Sequence, residues 1–86
     1  MSLEIIRGEE LLKRGLNLIH AVGRGYKEAP VLVDMYYKGD VSDKQVVSLV
    51  GKGITFDTGG LNIKTMMMEE MFMDKCGACT VISVFK

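Results

Sequence analysis

Residues 50–64 read VGKGITFDTGGLNIK, and the run from Gly51 to Gly60 holds four glycines in ten residues. This glycine content favours irregular backbone, because glycine loses more conformational freedom in a helix or strand than any other residue. The segment also carries ionisable side chains at Lys52, Asp57 and Lys64. We therefore predict a loop with charged side chains, whose simplest interpretation is a solvated surface with ion pairs.

Two apolar runs before this loop are predicted to form strands. Pro30 opens a β-branched and aromatic run at Val31–Tyr37, and Gln45–Val50 follows after a polar connection. Their length and composition suit strands better than helices. The second run ends at Gly51, so the glycine loop would leave the carboxyl end of a strand, where open α/β sheets place their ligand sites.

Helical periodicity appears on both sides of these strands. Apolar residues recur every three or four positions from Glu9 to Val22, which predicts one helix, although Gly15 weakens it. Beyond Asp74, small residues lead into Val81–Phe85, where we predict a second helix. Five methionines between Lys64 and Asp74 are predicted to fill an irregular gap in a core. One helix followed by two strands is too little to close a sheet by itself.

The composition argues against several classes of partner. Eleven basic and eleven acidic residues are scattered along the 86 residues, so the concentrated basic surface that nucleic acid or an anionic membrane requires is not expected. Residues 1–8 lack the pattern of a secretory signal. Two cysteines three positions apart cannot staple a small fold, so we expect a reducing, cytoplasmic compartment.

The segment Val50–Lys64 closely resembles the signature loop of the leucine aminopeptidase family, also called cytosol aminopeptidases. The family's loop has the pattern V-G-K-G-[hydrophobic]-T-[F/Y]-D-[S/T]-G-G, and a lysine follows it. Ala21–Gly25, followed by Ala29, Pro30 and a strand, is similar to the family's preceding segment. The resemblance implies that residues 1–86 are the N-terminal part of a larger catalytic domain, a partial three-layer α/β sandwich with a helix and two or more strands.

The resemblance also implies an activity and a set of site residues. The family binds two divalent metals and hydrolyses the amino-terminal residue from peptides, with zinc expected first and manganese or magnesium as alternatives. Carried over by position, Lys52 would ligate one metal, Asp57 would bridge both, Asp74 would be a further ligand and Lys64 would be catalytic. A lysine ligates only as the neutral amine, whereas Lys64 would stay protonated and face the oxyanion of a tetrahedral intermediate.

The sequence departs from the family's pattern at three points. The interval from Lys64 to Met68 is one residue shorter, within Thr65–Met67, and the family's D-M-G-G-A is DKCGA at residues 74–78. The family's N-T-D-A-E-G-R segment, which supplies the remaining ligands and a catalytic arginine, does not occur. We therefore expect a truncated chain that is inactive alone, from a longer parent that assembles into hexamers.

Alternative interpretations remain open at this stage. Cys76 and Cys79 have the C-x-x-C spacing of dithiol redox sites, which would make the chain a small redox protein, although buried helical cysteines show the same spacing. A non-catalytic truncated subunit would instead bind full-length partners by adding strands to their sheet edges. Asp74 is alternatively the N-cap of the last helix, and His20 a core or helix-surface residue.

Overall fold

The computed structural model describes residues 1–86, which divide into two units, Met1–Val41 and Ser42–Lys86. The elements in chain order are β1 (Ser2–Arg7), α1 (Glu9–Lys13), α2 (Asn17–Gly23), β2 (Val31–Tyr36), a 3₁₀ turn (Glu69–Phe72) and α3 (Cys76–Val84). The predicted α/β class is confirmed in its coarse form, as helices with a two-stranded antiparallel sheet. No helix has the length and apolar character needed to cross a bilayer.

The sheet of the first unit joins β1 to β2. The strands pair in antiparallel register from Ser2 with Tyr36 to Arg7 with Val31. β2 confirms the strand predicted at Val31 and ends one residue earlier than predicted. β1 is not predicted from the sequence, because its charged residues interrupt a stretch too short to show a clear period of two.

The single helix predicted from Glu9 to Val22 is wrong, because Gly15 divides it into α1 and α2. Gly15 has φ +75° and donates its N–H to the Leu12 carbonyl at 3.0 Å, while the Leu16 N–H reaches the Leu11 carbonyl at 2.8 Å. These two bonds and the left-handed glycine form a Schellman motif, which ends α1 by satisfying its last carbonyls. The apolar period continues across the break, which is why the sequence read as one helix.

The hydrophobic core of the first unit is small. Leu11 is completely buried and Ile6 is 5% exposed, and these are the two buried hydrophobic residues of the chain. Leu11 lies on α1 and Ile6 on β1. The helix and the strand thus each contribute one buried apolar side chain.

A surface cluster of charges accompanies this core. Arg14 donates to Glu4 at 2.6 Å and to Glu10 at 3.3 Å. The hydrogen bond and the charge of Arg14 hold the pKa of Glu4 below its usual value, and the same contacts raise the pKa of Arg14. The pair therefore stabilises the unit above the pKa of an unfolded glutamate, and the contribution is lost as the pH falls through the lowered pKa.

The second unit contains no sheet, so the strand predicted at Gln45–Val50 is wrong. These residues form no backbone ladder, and Val47 and Val50 are 83% and 94% exposed. A strand needs a neighbour to satisfy its backbone N–H and C=O groups, and this unit offers none. The loop predicted at Gly51–Gly60 is confirmed, since it contains no helix or strand.

The end of the second unit confirms one prediction and corrects two. α3 confirms the predicted second helix and begins at Cys76. Its N-cap is Lys75 and no side chain caps it, so the assignment of Asp74 as N-cap is wrong. The predicted methionine core is also wrong for most of the group, because Met66 and Met73 are 75% and 78% exposed. Thioethers cannot fill a core here, because the second unit contains no buried hydrophobic residue.

Replacing Leu11 with Ala tests the role of the first unit's core. We expect a loss of about 2–5 kcal/mol, because the substitution removes buried methyl groups and leaves a cavity. The neighbouring Leu12, which is 39% exposed, is the matched control, and Leu12→Ala should cost less than about 1 kcal/mol. Urea denaturation followed by circular dichroism measures both, and equal losses would contradict the assignment.

Candidate metal centre

Lys52 and Asp74 meet although 22 residues separate them in the chain. The Lys52 Nζ lies 3.3 Å from Asp74 Oδ2, forming an ion pair with a hydrogen bond. The two side chains are 59% and 65% exposed, so the pair contributes little to stability by itself. Its interest lies in its position, because it brings together two of the residues predicted to be metal ligands.

Backbone contacts between the glycine loop and α3 create this meeting. The Ala78 N–H, in the first turn of α3, donates to the Lys52 carbonyl at 3.0 Å. A Cβ on Gly51 would lie 2.6 Å from the Gly77 carbonyl oxygen, so only glycine allows this approach. The start of α3 is thus held against the backbone of the loop, and Asp74, just before the helix, is placed beside Lys52.

Asp57 is fixed by its own loop. Its Oδ1 accepts the Gly59 N–H at 2.9 Å, which is an Asx turn. The residue is half-buried and forms no ion pair with Lys52 or Lys64. The structure therefore holds the carboxylate in one orientation, with its second oxygen free of hydrogen bonds, but it does not bring Asp57 into contact with the other predicted ligands.

The backbone around Lys64 closes a tight turn. The Lys64 N–H donates to the Thr58 carbonyl at 2.7 Å, and the Asn62 N–H donates to the Gly59 carbonyl at 3.0 Å. Gly59 and Gly60 adopt φ +97° and +58° within this turn. The side chain of Lys64 is exposed and its ammonium forms no ion pair. The predicted catalytic lysine is thus anchored by its backbone and free at its charged end.

Lys75 links the loop to the 3₁₀ turn, and the sequence analysis gave it no role. Its Nζ donates to the Thr55 carbonyl at 2.9 Å and also to the Met71 carbonyl. Close by, the rings of Phe56 and Phe72 pack with their centroids 4.6 Å apart, joining the same two segments. The available signal was a lysine directly after Asp74, where the family's motif has methionine.

The remaining candidate residues are Cys76, Cys79 and His20. Cys76 and Cys79 are free, exposed thiols on α3, so the interpretation of the pair as buried helical residues is wrong. His20 is largely buried on α2, with its Nε2 3.6 Å from a Glu9 carboxylate oxygen. No three side chains among His, Cys, Asp and Glu converge as a metal would require.

The Lys52–Asp74 pair has the dimensions of two ligands on one metal. Ligands bound to zinc at about 2.1 Å in tetrahedral geometry lie roughly 3.4 Å from each other. The Nζ and Oδ2 atoms are 3.3 Å apart, and the Lys52 ammonium donates a hydrogen bond to the Asp74 carboxylate. An amine and a carboxylate also suit a borderline divalent ion such as zinc. The donor set fits a metal, provided that the lysine gives up its proton.

Comparison with known proteins identifies the family. The model of the catalytic domain of the cytosol aminopeptidase family matches residues 1–86. The chain belongs to the cytosol aminopeptidase family. The predicted resemblance is thereby confirmed, and it extends over the whole chain, including the Cys76–Cys79 segment.

Curated cytosol aminopeptidases show the same similarity. The chain is 43% identical over 87 residues to a probable cytosol aminopeptidase of Cenarchaeum symbiosum, covering all of this chain and 18% of that protein. Probable cytosol aminopeptidases of Aromatoleum aromaticum and Legionella pneumophila (strain Paris) are 40% and 42% identical, with 17% and 18% of their lengths covered. The chain thus spans less than a fifth of these relatives. No solved structure gives a significant match.

The segment predicted to be one residue shorter than in cytosol aminopeptidases has an unusual backbone. Met67 has φ +60°, and it is the one non-glycine residue of the chain with a positive φ. The left-handed conformation costs an L-residue with a side chain roughly 1–2 kcal/mol. The backbone strain of this segment is therefore concentrated at Met67.

Replacing Lys75 with Met tests whether this lysine holds the glycine loop. Losing two hydrogen bonds from a charged donor should lower the free energy of unfolding by about 1–3 kcal/mol. Lys64→Met is the matched control, because the Lys64 ammonium has no partner, and we expect a change below about 0.5 kcal/mol. Thermal unfolding measures both variants. A Lys75→Met chain as stable as the parent would show that the two carbonyl contacts hold nothing in place.

Proposed function

We propose that this chain supplies part of the two-metal centre of an aminopeptidase that releases amino-terminal residues from peptides. The observation that carries the proposal is the 3.3 Å contact between Lys52 Nζ and Asp74 Oδ2. Two residues far apart in sequence, each at a position of the family's metal site, meet at the separation of ligands that share an ion. Membership of the cytosol aminopeptidase family supports the same reading.

In this proposal the metal ligands are Lys52, Asp57 and Asp74. Zinc is the first choice, with manganese or magnesium as alternatives, because nitrogen and carboxylate oxygen together suit zinc best. Two divalent ions held there would polarise the peptide carbonyl and activate a water molecule. Lys52 contributes its neutral amine, so occupation of the site must release a proton from the present ion pair.

The remaining tasks fall to residues whose placement is already fixed. The Asx turn orients the carboxylate of Asp57, which would hold the divalent ions together with Lys52 and Asp74. Lys64 extends its ammonium from the end of the closed turn, and we assign it to the negative charge that develops on the carbonyl oxygen of the substrate. Backbone hydrogen bonds set the path of the loop that carries both residues.

We further propose that the 86 residues act within a longer, cytoplasmic parent that forms homo-oligomers, in which the sheet belongs to a three-layer α/β sandwich. The exposed side chains of Val46, Val47 and Val50 support this view, since further residues of a longer protein would cover such an apolar surface. The chain alone contributes three ligands, which are too few for two ions. Peptides are the proposed substrates, and neither nucleic acid nor membrane is a proposed partner.

Metal titration of ligand variants tests the centre directly. The 86-residue chain is titrated with Mn²⁺ in a calorimeter, since manganese favours oxygen and nitrogen donors over thiols. We expect saturable binding with proton release, weakened about tenfold or more in Asp57→Asn and Asp74→Asn.

The matched control for Asp57 is Asp43. Its Oδ1 accepts the Gln45 N–H at 2.9 Å, so it makes the same kind of turn outside the proposed centre. Asp43→Asn should leave manganese binding unchanged. The assignment fails if the unsubstituted 86-residue chain binds no metal, or if the Asp43 variant loses as much affinity as the Asp57 variant.

Peptidase assays address the dependence on a longer parent. The purified 86-residue chain, supplied with zinc or manganese and leucyl peptides, should show no turnover above the metal alone, because the second set of ligands is missing. Robust release of amino-terminal residues would refute this dependence while leaving the metal centre in place.

A further inference from the structure

The first turn of α3 carries two thiols that the proposed peptidase does not use. Cys76 and Cys79 are both free and exposed. Together with Thr80, Ser83 and Val84 they line one open groove of about 470 Å³. None of these five residues is charged, so a small sulfur compound can approach either thiol without meeting a fixed charge in the groove.

The spacing of the two cysteines brings their side chains to the same face of the helix. Residues three apart in a helix have their Cβ atoms about 5–6 Å apart. A disulfide requires a Cβ–Cβ distance of about 3.5–4.5 Å. The two sulfurs are therefore within reach of each other once the first turn of α3 tightens by roughly 1–2 Å.

We propose that Cys76 and Cys79 form a reversible disulfide site, which is oxidised by low-molecular-weight disulfides and displaces the backbone of Lys52. The site takes no metal and belongs to a class of cytoplasmic thiol pairs that act as redox sensors. Its effect on Lys52 follows from contacts that the structure records, whereas its effect on metal binding rests on the proposed function.

The reaction is a two-step thiol–disulfide exchange. One cysteine loses its proton to solvent, and its sulfur attacks the disulfide R–S–S–R, forming a mixed disulfide and releasing R–S⁻. The second cysteine, likewise deprotonated, attacks the sulfur of the first, which forms the Cys76–Cys79 bond and releases the second R–S⁻. The two released thiolates take up two protons. The cysteine pair is thus oxidised by two electrons, and the small disulfide is reduced to two thiols.

The ring closed by this bond contains the residues that hold Lys52. Gly77 and Ala78 lie between the two cysteines, and the Ala78 N–H is the donor to the Lys52 carbonyl at 3.0 Å. A Cβ on Gly77 would lie 3.2 Å from the Lys52 nitrogen, so the two backbones are already in close contact. Tightening the first turn must shift these two residues, and the shift weakens the hydrogen bond that places Lys52 beside Asp74.

The first experiment detects the site without reference to metals. The 86-residue chain is incubated with oxidised glutathione and analysed by intact mass. We expect a monomer that has lost two hydrogen atoms, and we expect Cys76→Ser and Cys79→Ser each to retain one glutathione adduct. The proposal is overturned if the parent chain does not react, keeps glutathione on its cysteines, or forms disulfide-linked dimers.

The second experiment measures the coupling to Lys52 by amide hydrogen exchange. Oxidation should speed exchange at the Ala78 N–H by about tenfold or more, because its hydrogen bond opens more often. The Gly59 N–H, which is bonded to Asp57, is the internal control and should not change. A Cys76→Ser, Cys79→Ser double variant should show no response to glutathione. Equal protection of Ala78 in both redox forms would overturn the coupling.

A manganese titration of the two forms then separates the inference from the proposed function. We expect the oxidised chain to bind Mn²⁺ about tenfold more weakly than the reduced chain. Equal affinities would refute control of the metal centre. Binding by neither form would count against the proposed function, whereas the disulfide and its effect on Ala78 would stand or fall on the first two experiments.

Discussion

The hydrogen bond from the Ala78 N–H to the Lys52 carbonyl joins the start of α3 to the glycine loop, and the arrangement of the second unit depends on it. The unit has no sheet and no buried hydrophobic residue, so apolar burial does not fix its shape. A few directed contacts do this instead, and Gly51 lets them form because any side chain there would strike the Gly77 carbonyl. Lys52 and Asp74 meet as a consequence of this backbone contact.

Lys75 reinforces the same arrangement from the other side. Its ammonium donates to the Thr55 carbonyl in the loop and to the Met71 carbonyl within the 3₁₀ turn. A cation that binds carbonyl oxygens next to a proposed metal ligand keeps the segment in place without competing for the carboxylate of Asp74. The first unit differs, since it buries Leu11 completely and Ile6 almost completely.

The sequence predicts local structure correctly where the residue types of a segment themselves determine its backbone conformation. The glycine loop, β2 and α3 were predicted correctly, because glycine density, β-branched residues and small residues each act locally. The break at Gly15 was missed, because the apolar period runs through it and only the left-handed backbone reveals the Schellman motif. The strand at Gln45–Val50 failed for a non-local reason, since strand formation depends on a neighbour that the sequence of a segment does not specify.

The candidate site residues were predicted from a sequence motif, and one contact among them is seen in the structure. The family's motif placed Lys52, Asp57, Lys64 and Asp74 in one functional group, and the structure brings the first and last of them together. The motif does not give the role of Lys75, because this lysine contacts backbone carbonyls, which carry no sequence signal. Whether Asp57 joins Lys52 and Asp74 on a shared ion stays a prediction.

The adjacent glycines Gly59 and Gly60 differ in which substitutions they tolerate. At Gly59 an added Cβ would lie 2.1 Å from the Asn62 carbonyl oxygen, and its φ of +97° falls outside the left-handed well of other residues. Gly60, with φ +58° and no atom within 4 Å of its missing Cβ, sits inside that well. Asparagine is therefore admissible at Gly60, whereas a saturation library at Gly59 would return glycine alone.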